Sequence, residues 1–235
     1  MRRRYDQLRP VTLKRRYTSA PYGSVLISMG NTRVLCTASP VAGVPRWLEG
    51  KGEGWVTAEY NMIPGATVER RPRRLGDGRS LEIQRLIGRS LRAVVDRSLL
   101  GSQTIWADCE VLQADGGTRT AAVTGSYVAL HDALTRMMTE GLITEWPLKA
   151  ALAAVSVCRA NGRMALDPDY ELDAAAEVDI NIVMTSLGEF VEVQGTAEEG
   201  TFDEEQLGRM LKLARRGIKR LLQIQAKALG RAAKR

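Results

Sequence analysis

One short stretch of the sequence combines glycines, threonines and an arginine in an order that suits anion binding. Residues 113–120 read Gln-Ala-Asp-Gly-Gly-Thr-Arg-Thr and lie between an extended run and a helix-forming segment. Adjacent glycines let backbone N–H groups approach an anion, and the helix start adds unpaired N–H groups and a positive dipole end. The guanidinium of Arg119 matches phosphate oxygens. Gly117, Thr118 and Arg119 are therefore candidates to bind one phosphate group.

The same stretch also has a simpler interpretation. Gly-Gly pairs occur in ordinary tight turns, and Asp115 could serve as the N-cap of the following helix. A nucleoside triphosphate loop is excluded, because the stretch lacks the Lys-Ser/Thr pair that reaches the outer phosphates and magnesium. The single-phosphate site and the structural turn both stay open on these residues alone.

Two carboxylates form a second candidate group. Asp173 and Asp179 belong to the dense acidic segment of a chain whose formal net charge is +7. Neighbouring carboxylates repel each other and therefore need a cation or a proton, and with a phosphate substrate the usual cation is Mg²⁺. The alternative is a surface acidic loop that balances basic neighbours.

The basic residues cluster as well. Residues 69–79 carry five arginines with a proline and two glycines, which predicts an exposed loop that could contact an external polyanion or simply solubilise the protein. Arg79 ends this loop at the start of a predicted helix, the end that binds anions. Candidate RNA-binding arginines are those of the loop and of one polar stripe on the helix: Arg70, Arg71, Arg73, Arg74, Arg85, Arg89 and Arg92.

Composition narrows the possible functions. The basic charge indicates a polyanionic partner, and scarce aromatics (2 Phe, 4 Trp, 6 Tyr) favour phosphate contacts over base stacking. His131 is the one histidine, so histidine triads and histidine-rich zinc sites are excluded. Three isolated cysteines in apolar runs are typical of reduced core residues. With no apolar signal segment or membrane-length run, we expect a cytoplasmic protein without membrane contact.

Hydrophobic periodicity predicts alternating strands and helices. Strand patterns cover residues 22–39 as a hairpin, 54–60 and 104–112, and two further hairpins lie within 150–166 and 180–194. Helical patterns cover residues 80–96 and 120–140, and a capping box at 203–206 opens a last helix. Without a linker or repeat, the chain is expected to form a single α/β (α+β) domain over residues 1–235.

Several long motifs resemble those of the bacterial RNase PH family, the phosphate-dependent exoribonucleases that trim tRNA 3′ ends. The resemblance covers nearly the whole chain. The motifs lie at residues 6–11, 30–39, 52–60, 82–92, 111–120 and 193–198. Relative to the family, the arm before Asp6 lacks a few residues and the loop before Arg79 is shorter.

The resemblance implies a role for each candidate. Arg79 would contact phosphate, and Gly117, Thr118 and Arg119 would form the phosphate-binding loop. Asp173 and Asp179 would be the essential aspartates, which act with Mg²⁺ and protonate the leaving oxygen. Inorganic phosphate would be the co-substrate.

The family also implies a fold and partners. The fold would be a mixed sheet with helices, related to a ribosomal-protein fold with a left-handed βαβ crossover. The partners would be tRNA precursors and other RNA 3′ ends, bound by a homohexamer built as a trimer of dimers. Two alternatives remain: a non-catalytic RNA-binding ring subunit of an exosome-like complex, and a metal-dependent hydrolytic nuclease.

Overall fold

The structure is a computed structural model that describes residues 3–70, 72 and 77–230 of the chain. These residues form nine strands and four α-helices, with two short 3-10 helices at Arg46–Leu48 and Arg97–Leu100. The strands are β1 (Val11–Arg15), β2 (Gly23–Met29), β3 (Thr32–Ala42), β4 (Trp55–Met62), β5 (Gln103–Gln113), β6 (Leu152–Ala160), β7 (Arg163–Leu166), β8 (Ala176–Thr185) and β9 (Phe190–Ala197). The helices are α1 (Gly78–Ala93), α2 (Thr118–Thr139), α3 (Tyr170–Ala174) and α4 (Glu204–Ala228).

The strands form two sheets. The first sheet has the strand order β1-β2-β3-β5-β4. It is mixed, because β4 and β5 are parallel while the other neighbouring strands of the sheet are antiparallel. Helix α1 connects β4 to β5 and makes a βαβ unit, as a parallel pair requires. The second sheet is antiparallel, in the order β7-β6-β8-β9. The mixed α/β fold class is thus confirmed, while the left hand of the crossover stays a prediction.

Helix α2 joins the two sheets. It is lined with alanine and glycine and contacts β2 and β3 of the first sheet and β6 of the second. Small side chains let the backbones approach closely, and one hydrophobic cluster contains residues of both sheets. His131 is buried in this helix against Trp146, as expected for a packed residue. That the chain is one domain stays a prediction.

The structure differs from the sequence-based expectations in three details. Asp173 lies in the short helix α3, in a segment for which the sequence predicted no helix, because the Asp169 side chain accepts from Leu172 N–H and starts a helical turn. Helix α2 begins at Thr118, two residues before the start at residue 120 that the sequence predicted. Continuous apolar runs on both sides of the turn predict that both strands of the 22–39 hairpin are buried on two faces. Strand β3 instead alternates between buried and accessible residues, and only β2 is buried almost throughout.

Two other expectations, the capping box and the buried free cysteines, are confirmed. Asp203 and Gln206 form the predicted capping box of α4. All three cysteines are free and buried. Within the described part of the chain, no helix is both long and apolar enough to cross a membrane.

The close packing of α2 generates a prediction. A methyl group added at Gly125 would lie 2.7 Å from Cys36 Sγ and 2.8 Å from Ile27 Cγ2. We therefore expect Gly125→Ala to lower the free energy of unfolding by about 1–3 kcal/mol, measured by denaturant titration. Gly208→Ala in α4 is the control, since nothing lies within 4 Å of its added methyl group. It should stabilise the protein by up to about 1 kcal/mol, and equal losses in both variants would contradict the packing argument.

Candidate active site

One cavity of about 140 Å³ brings together all of the proposed phosphate-binding and catalytic residues. It lies where the end of β5 and the start of α2 meet the start of α1, helix α3 and strand β8. The predicted residues that line it are Arg79, Gly117, Thr118, Arg119, Asp173 and Asp179. Residues that are more than fifty positions apart in the sequence therefore face one space.

The glycine pair has the backbone conformation that an anion-binding turn needs. Gly116 and Gly117 have φ angles of 73° and 63°, a region that favours glycine. Gly117 is the N-cap residue of α2, without a capping side chain. Asp115 is not the N-cap, because its Oδ1 accepts from the backbone N–H of Tyr170. The simple-turn interpretation is therefore wrong in assigning the cap to Asp115.

A buried ion pair between Arg9 and Asp167 contacts the candidate phosphate-binding loop, residues 113–120, which is called the phosphate loop below. Arg9 Nη2 donates to Asp167 Oδ1 at 2.6 Å, and the Arg9 backbone N–H donates to Asp167 Oδ2 at 2.9 Å. The same guanidinium donates to the backbone oxygens of Asp115 and Gly116. Thr32 Oγ1 also donates to the Gly116 oxygen. Because Arg9 and Thr32 bind the carbonyl oxygens of the loop, the loop conformation does not depend on a bound ligand.

The guanidinium of Arg119 is oriented by two side chains. Arg119 Nη1 donates to Gln194 Oε1 at 2.8 Å and to Glu82 Oε1 at 3.1 Å. Gln194 Nε2 donates to the same Glu82 oxygen. Both contacts of Arg119 leave from one nitrogen, so the rest of the guanidinium remains able to meet an anion in the cavity.

Asp179 is the more enclosed of the two aspartates. Its Oδ2 accepts from Asn181 Nδ2 at 2.9 Å, and Asn181 is held in turn by Ser156. Burial, reinforced by the negative charge of Asp173, raises the pKa of Asp179 to about 6. A carboxyl with this pKa can carry and release a proton near neutral pH.

Asp173 lines the same cavity and is more exposed than Asp179. The protein atoms around its carboxylate raise its pKa, while the positive charges of Arg79, Arg119 and Arg9 oppose that rise. Arg79 is itself exposed and lines the same cavity. The site thus pairs two carboxylates with the arginines that the sequence assigned to phosphate.

The aspartate pair fits a hard divalent cation that is coordinated partly by the two carboxylates and partly by oxygens of a bound substrate. Asp179 Oδ1 is buried and has no hydrogen-bond partner among the described residues. Over the described residues there is no cluster of three or more His, Cys, Asp or Glu side chains that could hold a metal ion alone. Two carboxylates completed by water and phosphate oxygens is the coordination that Mg²⁺ uses.

The predicted RNA-binding arginines have different environments. Arg70 and Arg85 are exposed, whereas Arg89 forms an ion pair with Glu192 at 2.8 Å. Arg92 lies over the ring of Trp55, at 4.3 Å from its centroid. Their binding of RNA stays a prediction, and Arg71, Arg73 and Arg74 lie outside the described residues.

Sequence reasoning did not assign roles to several residues that shape the site, namely Arg9, Glu82, Asp167, Asn181 and Gln194. A signal existed for some of them. Arg9, Glu82 and Gln194 belong to motifs that resemble the RNase PH family. Asn181 follows Asp179 by two positions on a strand and therefore shares its face.

The fold and the site together define an α/β protein with one cavity lined by arginines, a glycine turn and two carboxylates. Comparison with known families matches residues 7–135 to domain 1, and residues 150–217 to domain 2, of the 3′ exoribonuclease family, RNase PH type. The chain belongs to this family.

Similar proteins agree with this assignment. Ribonuclease PH of Corynebacterium glutamicum is 55% identical over 232 residues, which cover 97% of this chain and 95% of the relative. Ribonuclease PH of Synechococcus elongatus is 52% identical over 229 residues, covering 97% and 96%. The resemblance seen in the sequence motifs is thus confirmed over nearly the whole chain.

Solved structures agree in fold. The Archaeoglobus fulgidus exosome with RNA bound to the active site has a chain that matches with a TM-score of 0.82 and 20% identity, covering 94% of this chain and 90% of the other. Rice Rrp46 matches with a TM-score of 0.79 and 19% identity, covering 97% and 98%. At these identities the likeness establishes the fold alone.

The charge of Glu82 beside Arg119 generates a prediction about anion affinity. In Glu82→Gln the amide oxygen can still accept from Arg119, but the negative charge near the cavity is removed. We expect the affinity for inorganic phosphate, measured by titration calorimetry, to rise roughly 3- to 10-fold. Glu192→Gln is the matched control, because the Arg89–Glu192 pair also joins α1 to β9. Equal changes of phosphate affinity in both variants would indicate that the packing of α1 against β9, not the charge beside Arg119, controls the affinity.

The raised pKa of Asp179 generates a prediction about stability. The folded protein holds a proton at Asp179 up to about pH 6, whereas the unfolded chain releases it near pH 4. The contribution to stability is therefore present at low pH and is lost as the pH rises from about 4 to 6. Relative to the parent, Asp179→Asn should gain on the order of 1–3 kcal/mol of unfolding free energy between pH 4 and 7.

Denaturant titrations across this pH range measure that difference. Asp96→Asn is the control of opposite sign, because hydrogen bonds from Ser98 and Lys149 lower the pKa of Asp96. That variant should lose stability relative to the parent as the pH rises. A pH-independent difference for Asp179→Asn would show that its carboxyl is not perturbed.

Proposed function

We propose that the chain is a phosphate-dependent 3′-to-5′ exoribonuclease that removes the last nucleotides of tRNA precursors, and of other RNA 3′ ends, as nucleoside diphosphates. One observation carries the proposal: the proposed phosphate-binding residues line the same small cavity as both aspartates. These residues, called the cradle below, are Arg79, Gly117, Thr118 and Arg119. Membership of the 3′ exoribonuclease family supports the same activity.

The reaction joins two phosphates. An oxygen of inorganic phosphate forms a bond to the phosphorus between the last two nucleotides, and the bond from that phosphorus to the penultimate 3′ oxygen breaks in line. The shortened RNA keeps that oxygen, which takes up a proton, and the last nucleotide leaves as a diphosphate. Arg79, Arg119 and the loop N–H groups hold the attacking phosphate and offset the repulsion between two anions.

Asp179 supplies the proton to the departing 3′ oxygen. Its raised pKa makes protonation accessible, and the arrival of anionic phosphate and RNA would favour the protonated form further. Asn181 fixes the carboxyl through its Oδ2. In their ionised forms Asp173 and Asp179 would hold Mg²⁺ together with substrate oxygens, so Asp179 would either bind the ion or carry the proton, not both at once. The ion, when bound, would stabilise the charge of the phosphates.

The assembly and the location are further parts of the proposal. We propose a homohexamer, a trimer of dimers, that acts on tRNA in the cytoplasm through Arg70, Arg85 and neighbouring arginines. A non-catalytic ring subunit is less supported, because such a subunit has no need of both the cradle and the aspartate pair. A hydrolytic nuclease does not account for the phosphate cradle.

The proposed function generates a prediction for Arg119. A charge-assisted arginine–phosphate contact contributes about 1.5–3 kcal/mol. Arg119→Ala should therefore raise the KM for phosphate roughly 10- to 100-fold while the KM for RNA changes little. The measurement is the release of nucleoside diphosphate from a labelled tRNA precursor at varied phosphate concentration.

Two outcomes would contradict the assignment. Release of nucleoside monophosphates without added phosphate would indicate hydrolysis. A loss of RNA affinity with unchanged phosphate dependence would place Arg119 in the RNA-binding surface. Arg15→Ala is a suitable control, because Arg15 forms a partly exposed ion pair with Asp132 and does not line the cavity.

A further inference from the structure

One exposed aromatic side chain lies at the candidate active site. Tyr170 is 65% exposed, and among the described residues that line the cavity it is the aromatic one. Single exposed apolar residues are common on protein surfaces, so exposure alone decides nothing. The position of Tyr170 beside both aspartates is what distinguishes it from exposed tyrosines such as Tyr17.

The backbone of Tyr170 is fixed to the phosphate loop. Its N–H donates to Asp115 Oδ1 at 3.0 Å, and Gly116 packs so closely against the preceding segment that an added methyl group would lie 2.5 Å from the Pro168 oxygen. The residue therefore sits on a rigid support although its ring is exposed. Such an arrangement presents an aromatic surface with little loss of conformational freedom on binding.

Helix α3 also places the ring close to the reacting atoms. Tyr170 and Asp173 are three positions apart in this helix, so their Cβ atoms lie on one side at roughly 5–6 Å. The scissile phosphodiester must approach Asp173, Asp179 and Arg119. A nucleotide base attached to that phosphate then comes within reach of the tyrosine ring.

We propose that Tyr170 is a base-stacking subsite for the 3′-terminal nucleotide of the RNA substrate, an inference that rests on the proposed function. An aromatic face accepts every base, because each base has its own π surface. Stacking would therefore position the terminal nucleotide without selecting a sequence. It adds a contact to the base, where composition alone indicated that the RNA is bound through its phosphates.

The test compares two RNAs that differ only in the 3′-terminal base, which is present in one and absent in the other. Binding is measured in phosphate-free buffer, where phosphorolysis does not proceed. The wild-type protein should bind the intact RNA roughly 5- to 100-fold more tightly than the abasic RNA. In Tyr170→Ala the intact RNA should bind as weakly as the abasic RNA, whose affinity should not change.

Two further variants complete the test. Tyr170→Phe keeps the ring and should retain the preference for the intact RNA, and Tyr17→Ala should behave as wild type. Equal weakening of both RNAs by Tyr170→Ala, or no weakening, would overturn the proposal. Adding phosphate tests the proposed function separately: a wild-type protein that discriminates the two RNAs but releases no nucleoside diphosphate would overturn the function and leave the subsite.

Discussion

The buried ion pair between Arg9 and Asp167 is the interaction on which the candidate site depends. Their side chains are 5% and 1% exposed and meet at 2.6 Å. The pair joins the segment before β1, the phosphate loop and the connection from β7 to α3. Removing one partner of a buried pair leaves the other charge uncompensated, at a cost of about 3–5 kcal/mol. Because the pair spans three segments, it couples the geometry of the cradle to the position of Asp173.

Arg119 and Asp179, two charged groups of the cavity, each keep hydrogen-bonding capacity that their protein partners do not use. Arg119 is oriented by Glu82 and Gln194 through a single nitrogen. Asp179 has one carboxylate oxygen bound by Asn181 and one without a partner among the described residues. A phosphate group, a cation or a proton would complete these contacts. This arrangement is what a reaction between two anions requires, since binding sites for positive and negative groups must lie within one small space.

Much of the fold could be predicted from periodicity and capping. The strand patterns and the long helices were found within a few residues of their ends, because burial on one face requires a regular apolar spacing. Helix α3 was missed, since five residues are too short to show a helical period. The acidic segment gave no sign that Asp167 is buried, because a buried charge is recognised by its partner, and Arg9 lies far away in the sequence.

The sequence by itself determined the chemical groups: the glycine pair, Arg119, Arg79 and the two aspartates, together with the motifs that identify the family. Local chemistry sufficed there, because a turn with positive φ angles requires glycine and phosphate favours arginine. Only the tertiary structure decided that these groups share one cavity, that Glu82 and Gln194 orient Arg119, and that burial raises the pKa of Asp179. These properties depend on distances and burial between segments remote in sequence, which arise only when the two sheets pack around α2.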